Sequence, residues 1–237
     1  MFFSRIRTKS VSWLFAELLV IVLGILIAIQ VEEWRQYRQD RKLEREVLES
    51  IQRDVDDILG QYVELIKHFN TSMQGTTTLI TGIESGDLSE SDIVQARSGT
   101  GLTYLMSYAP TSFEGFLQSG AIALVQDESL TADLRSFFGS QRSWILGLNE
   151  VHIQRSRKAF DLLNVDFRSV PLEDYTSSMA SRVTLLVPVA DFPTSEMLQS
   201  GLIELNSFRR DTLRAIEIVM VSGQAISARI DEHLSDN

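Results

Sequence analysis

Histidine has the widest chemical range of any side chain in this 237-residue chain, and there are three of them. His68, His152 and His233 lie far apart in sequence, and none has a second histidine or a carboxylate at the spacing a metal ion needs. Each is therefore expected as a surface residue or a satisfied core residue. The chain has no cysteine, which removes disulfides, thiolate nucleophiles, iron–sulfur clusters and cysteine-based zinc sites. Ser98-Gly-Thr-Gly-Leu-Thr103 has the glycine content of a phosphate loop, but it lacks the lysine of a Walker motif and no strand pattern feeds it. A flexible interhelical loop is the expectation there. Gln154-Arg-Ser-Arg-Lys158 and Arg209-Arg210 are the basic clusters, read as solvated faces, with a grip on a phosphate or an acidic peptide as the alternative. Asp56 with Asp57, or Glu173 with Asp174, would serve as acid and base only if the fold set a partner across a cleft. Phe137, Phe138 and Trp144 read as core. No catalytic, cofactor-binding or metal-binding residue is assigned, no cofactor is implied, and the chain is not expected to be an enzyme.

One further constellation carries chemistry of a different kind. Glu17, Ile21, Gly24 and Ala28 fall on one stripe of a helix. The stripe combines an acidic side chain with a small-xxx-small pair, so it suits a helix–helix interface within a bilayer. Small residues let two backbones approach, and an ionisable group turns from lipid toward a partner.

The element that would hold this stripe spans residues 11–31, which at about 1.5 Å per residue reaches roughly 31 Å, the thickness of a bilayer core. Glu17 opposes insertion by about 2.5 to 3.5 kcal/mol if it behaves as a central charge. The Leu, Ile and Val side chains from Leu18 to Ile29 together favour insertion by roughly 3 to 6 kcal/mol, so insertion wins. A cleaved signal peptide is the alternative, given Arg5, Arg7 and Lys9 ahead of the apolar run. The length of that run and the lack of a small-x-small cleavage site favour an uncleaved transmembrane helix.

Orientation draws on opposing signals. Arg35, Arg38, Arg41, Lys42 and Arg45 outnumber the basic residues of the N-terminal tail, and counting Lys and Arg alone would place the large domain in the cytoplasm. Those residues are interleaved with Glu32, Glu33, Asp40, Glu44 and Glu46, whereas the tail is purely basic. The expectation is a cytoplasmic (inner) membrane protein with its N-terminus in the cytoplasm and its C-terminal domain in the periplasm. Overall, 22 Lys and Arg against 32 Asp and Glu give a formal charge of −10, which argues against nucleic acid as a partner.

Beyond the anchor, no glycine or proline occurs from Ile25 to Leu59, so the transmembrane helix is expected to run on. Leu48, Ile51, Val55, Ile58, Tyr62, Leu65 and Phe69 alternate in steps of three and four, the spacing of a helix packed along a seam. The same spacing traced backwards meets Arg41 and Glu44, so residues 32–46 are read as a solvated stalk laced with charge pairs, its substitutions nearly silent. Glu49 with Arg53 is a further expected pair. The Thr and Ser cluster at Thr71–Thr78 and the following glycines are expected to break the helix. Ser89-Glu-Ser-Asp92 and Thr111-Ser-Phe-Glu114 read as capping boxes, the second opening a helix that stops at Gly120. Asp127 opens a second long helix with an apolar face from Leu130 to Phe167 and a possible bend at Gly147. Val183–Ala190 reads as an extended crossover or stray strand, and Pro193-Thr194 introduces a last long helix with Gly201 and Gly223 as weak points. The predicted organisation is a short basic tail (1–10), a transmembrane helix (11–31), a juxtamembrane helical stalk (32–46) and a helical bundle domain (47–237). The fold class is all-α, with the N-terminal transmembrane helix continuing into a long helix of an antiparallel helical bundle.

Ala16-Glu-Leu-Leu-Val-Ile-Val-Leu-Gly-Ile-Leu-Ile-Ala-Ile-Gln30, the Glu-Glu-Trp34 that follows and the charged run from Arg41 resemble the opening of a bacterial family of uncharacterised single-pass membrane proteins, a domain of unknown function. Phe113-Glu-Gly-Phe-Leu-Gln-Ser-Gly120 and the helix start at Glu128 are similar to it as well. The resemblance implies a membrane-anchored helical domain and brings no activity. The functional expectation is a membrane-anchored interaction or scaffold protein, contacting membrane lipid and assembling through its transmembrane helix with a second copy, as a homo-oligomer, or with another membrane protein. A periplasmic ligand-sensing domain that signals through a separate membrane partner is the alternative. The residues Met1–Ser10 are too few to carry an output domain.

Overall fold

The structure is a computed structural model, and it describes residues 10–101, 104–163, 167–170, 182–185 and 188–236. The basic tail before Ser10 and the Glu173–Asp174 pair lie outside the described residues. Helix α1 runs without interruption from Ser10 to Ser85, 76 residues, or about 114 Å at 1.5 Å per residue. Its N-terminal part is long and apolar enough to cross a membrane, with a mean hydropathy of 2.3 in its most apolar window, none of which is buried.

The Thr and Ser cluster at Thr71–Thr78 does not break α1, contrary to expectation. Thr71 and Thr78 donate their hydroxyls to the carbonyls of Lys67 and Gln74 at 3.0 Å, which satisfies side chains that would otherwise compete for the backbone. Small residues are also what the packing requires here. A side chain on Gly75 would meet the backbone carbonyl oxygen of Gln95 at 3.0 Å, and one on Gly99 would meet the Cα of Ser72 at 3.1 Å. The helix ends one residue before Gly86, whose φ of 73° turns the chain back.

Helix α2 (Glu90–Gly101) descends along the end of α1. Its capping box forms as read: Asp92 N–H donates to Ser89 Oγ at 3.3 Å, and Ser89 N–H donates to Asp92 Oδ2 at 3.1 Å. The Ser98-Gly-Thr-Gly stretch is the last turn of α2 and not a loop, a correction with a cause: Gly99 lets α2 seat against Ser72 of α1. The chain continues down α1, with Ser107 N–H on Gln61 and Phe113 N–H on Asp54. Helix α3 (Thr111–Ser119) stops at Gly120, in the left-handed region at φ 78°, as the sequence indicates. Its start differs from expectation. Pro110 is the N-cap and carries no side-chain bond, so Asp54 of α1 caps α3 from across the interface at 2.8 Å.

Helix α4 (Glu128–Leu163) begins with Asp127 Oδ1 accepting from Leu130 N–H at 2.9 Å, and it climbs parallel to α1 without a break at Gly147. It ends before Phe167, which belongs instead to strand β1 (Phe167–Val170); β1 pairs antiparallel with β2 (Arg182–Leu185) in a small hairpin. Helix α5 (Glu196–Asp236), capped by Ser195 Oγ on Leu198 N–H at 3.2 Å, descends antiparallel to α1 and α4. Gln52 to Asp231 at 2.8 Å and Thr76 to Asn206 at 2.6 Å fix its direction against α1. Gly201 and Gly223 are close-approach points rather than weak ones: a Cβ there would lie 2.8 Å from Leu162 Cδ1 and 2.7 Å from Leu59 Cδ2. The fold is thus an all-α, up-down-up-down antiparallel bundle whose second leg is interrupted at Pro110, with α1 extending beyond it.

The stalk boundary needs correction. Exposure is continuous only to Gln39, and Glu44 is 3% exposed. Arg41 Nη1 donates to Glu44 Oε2 at 2.5 Å, Gln126 N–H donates to Oε1 at 3.0 Å, and His233 Nε2 lies 3.1 Å from Oε1. Arg41 and Glu44 therefore occupy the seam positions their spacing gives them and tie the bundle's lower end together. Glu49 pairs with Arg45 rather than Arg53.

Two outcomes follow for stability. Ile58→Asp or Leu65→Asp, at positions 2% and 1% exposed, should abolish the cooperative thermal transition, since a buried unpaired carboxylate costs several kcal/mol against a total of about 5 to 15. Glu44→Ala, which orphans the Gln126 N–H and removes the carboxylate partner of Arg41, should lower the unfolding free energy by about 1 to 3 kcal/mol in denaturant titrations, while Arg35→Ala on the exposed stretch changes it by less than about 1.

Candidate functional site

Two apolar clusters make up the core. The lower one gathers residues such as Leu48, Ile58, Phe138 and Ile216, and the upper one Leu79, Ile93, Leu163 and Leu202. Between them the seam positions of all four legs turn polar. Ser72 and Thr76 come from α1, Arg97 and Thr100 from α2, His152 and Ser156 from α4, and Asn206, Arg209 and Thr212 from α5, all buried. A layer of this kind inside a helical bundle is costly unless each group finds a partner.

Part of the layer is satisfied. Thr76 Oγ1 donates to Asn206 Oδ1 at 2.6 Å, Thr100 Oγ1 donates to the Arg97 carbonyl at 3.0 Å, and Arg97 sits 5.1 Å above the Phe160 ring. Arg209, fully buried, donates through Nη2 to the Gly99 carbonyl at 2.9 Å, and its guanidinium lies 5.7 Å over Phe69. Its Nε and Nη1 find no acceptor. His152, 1% exposed, packs edge-on to the same Phe69 ring at 4.9 Å and stacks on Phe208 at 6.2 Å, and its Nε2 also lacks a partner, as does the hydroxyl of Ser156 one turn above. Burial, then the Arg209 charge, then His68 hold the His152 pKa down at about 4, while hydrogen bonding to the Tyr104 backbone works the other way. Burial lowers Arg209 to about 10, so it stays charged at neutral pH.

These positions revise the sequence reading. Arg209-Arg210 is not one solvated face, because Arg209 sits on the α5 seam and only Arg210 is exposed. The basic run at 154–158 splits in the same way: Ser156 is buried, while Arg155 and Lys158 pair with Glu204 at 3.3 and 2.9 Å. His68 and His152, remote in sequence, come together with ring centroids 6.5 Å apart because α1 and α4 run in parallel. His233 reaches Glu44 instead. Asp56 and Asp57 are both exposed, and Phe137 and Phe138 are core residues, with Phe138 stacked on Phe113 at 4.2 Å. Among the described residues no cluster of His, Asp and Glu has the arrangement of a metal site. The signal for the layer was present in the spacing: Leu130, Leu134, Phe137, Gln141, Ile145, Leu148, His152, Ser156, Ala159 and Leu163 form one unbroken buried row on α4.

Glu17, Ile21, Gly24 and Ala28 share one exposed stripe of α1, and nothing in the bundle comes within 4 Å of a Cβ placed on Gly24. No protein-family model, no curated protein and no solved structure matches the chain. The family resemblance thus rests on the residues of the anchor and of Phe113–Gly120.

The low pKa of His152 has a stability consequence. The unfolded chain takes up the imidazole proton near pH 6.5 and the native chain only near 4, so the unfolded state binds more protons in between. Stability is full above about pH 6.5 and falls as the pH drops toward 4, by roughly 3 kcal/mol in all. In unfolding titrations at pH 7.5 and 4.5, His152→Leu should lose less stability on acidification than the wild type, by about 2 to 3 kcal/mol. Equal losses would mean that His152 titrates as an ordinary histidine.

Proposed function

We propose that this chain is a single-pass, membrane-anchored scaffold, in which α1 holds a helical bundle at a fixed height and associates laterally through its transmembrane part. The observation that carries this reading is the continuity of α1. One helix contains both an apolar stretch with no bundle contact and the bundle's central seam, with no break between them. The stretch from Val31 to Glu44, exposed as far as Gln39, sets the bundle's first buried residue about 20 Å from the end of the apolar segment. Trp34 and Tyr37 on that stretch, with Arg38 4.1 Å over Trp34 and Arg41 5.1 Å over Tyr37, have the amphipathic chemistry of a membrane–water boundary. The membrane we assign is the cytoplasmic one, with the N-terminus in the cytoplasm and the bundle in the periplasm, because the tail is purely basic and the bundle acidic. Assembly uses the stripe of Glu17, Ile21, Gly24 and Ala28, facing a second copy or another membrane protein. The layer around Arg209 favours a second reading, a ligand-sensing domain that signals through a separate membrane partner.

A membrane-embedded association assay tests the scaffold reading. Gly24→Ile should abolish association by bulk alone, Glu17→Gln should weaken it by about 0.6 to 2 kcal/mol, and Leu26→Ala, on the opposite side of the helix, should leave it unchanged. If Gly24→Ile and Leu26→Ala behave alike, the stripe is not an interface and assembly through it is ruled out.

A further inference from the structure

We propose that the layer formed by Arg209 of α5 and by His152 and Ser156 of α4 is a binding site for a small oxyanion. Arg209 is fully buried, and its one hydrogen-bond partner is a backbone carbonyl, that of Gly99. Two of its three guanidinium nitrogens point into the bundle with nothing to receive them. No carboxylate among the described residues compensates it: the buried acids, Glu44 and Asp54, are committed at the lower end to Arg41, His233 and backbone N–H groups. Glu204 faces outward to Lys158 and Arg155. A buried charge left in this state is among the more expensive things a fold can hold, and an anion with two or more oxygens would satisfy it.

The neighbouring groups point the same way. His152 and Ser156 lie one turn apart on the same face of α4 and contribute two more buried polar atoms without partners, Nε2 and Oγ. Arg209 and His152 both pack on Phe69, which brings these two together, and Ser156 stands one turn from His152 on the same row of α4. With Nε2 the orphan, the Tyr104 backbone takes the Nδ1 proton, so Nε2 presents a lone pair. An oxyanion that carries its own hydroxyl, such as hydrogen phosphate, matches this set: its oxygens accept from Arg209 and Ser156 and its O–H donates to His152. A route exists beside the layer. A groove of about 590 Å³ runs between α4 and α5, lined by Leu148, Val151, Arg155 and Phe208 among others. Phe208 forms the partition, half-buried between Arg155 at 5.1 Å on the groove side and His152 at 6.2 Å on the inner side. Rotation of this ring would open the layer to the groove.

The test is a thermal unfolding series on the full chain in detergent micelles, with sodium phosphate, sulfate or acetate titrated against sodium chloride at matched ionic strength. At least one oxyanion should raise the midpoint saturably, by about 5 to 10 °C at a hundredfold excess over its Kd, with phosphate the strongest. Arg209→Met should remove the response while itself melting no lower than the wild type without anion, because an apolar side chain of similar length relieves the uncompensated charge. Ser156→Ala, a small change that leaves the packing intact, should raise the Kd severalfold. No saturable shift with any of the three salts, or an equal shift in wild type and Arg209→Met, overturns the proposal. Should Arg209→Met fail to fold, the wild-type and Ser156→Ala titrations decide alone, an equal Kd in the two counting against the site. The outcome is independent of the anchor, so it leaves the scaffold reading untouched either way.

Discussion

The fold depends on one geometrical requirement: a helix that alternates steps of three and four must keep the resulting row against its neighbours along its whole length. In α1 that row runs through Arg41, Glu44, Leu48, Ile51, Val55, Ile58, Tyr62, Leu65, Phe69, Ser72, Thr76 and Leu79, and from Glu44 onward each member is buried. Burial follows position rather than residue type. A glutamate at Glu44 and a threonine at Thr76 are enclosed as fully as the leucines between them, and the structure accommodates them by supplying partners. The same holds for Gln141, which accepts from the Tyr62 hydroxyl, and for Asn206, which accepts from Thr76. Where the partner is missing, at Arg209, His152 and Ser156, the row has still prevailed.

This explains what could be read from the sequence and what could not. The long apolar stretch, the three long helices, the box at Ser89, the cap at Asp127, the Gly120 stop and the start near Pro193 are local signals, and local physics decides them. Register outweighs charge at Arg41 and Glu44, which their spacing puts on the seam, and at Arg209, whose seam position the basic Arg209-Arg210 pair hides. The threonine-rich stretch of α1 departs from its local signal for a different reason. Its composition is poor for an isolated helix, but the close approach of α2 at Gly75 and Gly99 needs small residues, and tertiary packing overrides propensity. Nothing within the Thr111 region could reveal that its cap comes from Asp54, more than fifty residues earlier.

The polar layer is hard to explain as a contribution to stability. Replacing buried ionic groups by well-packed apolar ones is often neutral or stabilising, and the clusters above and below show that the bundle can be built from such residues. A single polar layer can fix the register of packed helices, and the bond between Thr76 and Asn206 suits that role, since each is satisfied by the other. Arg209 does not fit it. A register device works by completing its bonds within the fold, whereas this guanidinium completes one and leaves two nitrogens bare. The asymmetry separates the half of the layer that specifies the fold from the half that needs something else.

The two halves also differ in how they are packed. Between α1 and α2 the helices meet through glycines against backbone atoms, at about 3.0 to 3.1 Å from where a Cβ would stand, so the two pack backbone to backbone. Between α4 and α5 there is a groove, with a single aromatic ring as partition. A ligand that reached Arg209 through this groove would enter on the α4–α5 side. Helix α1, which carries the long apolar stretch, lines no part of that groove, which suits the proposed anchor and scaffold.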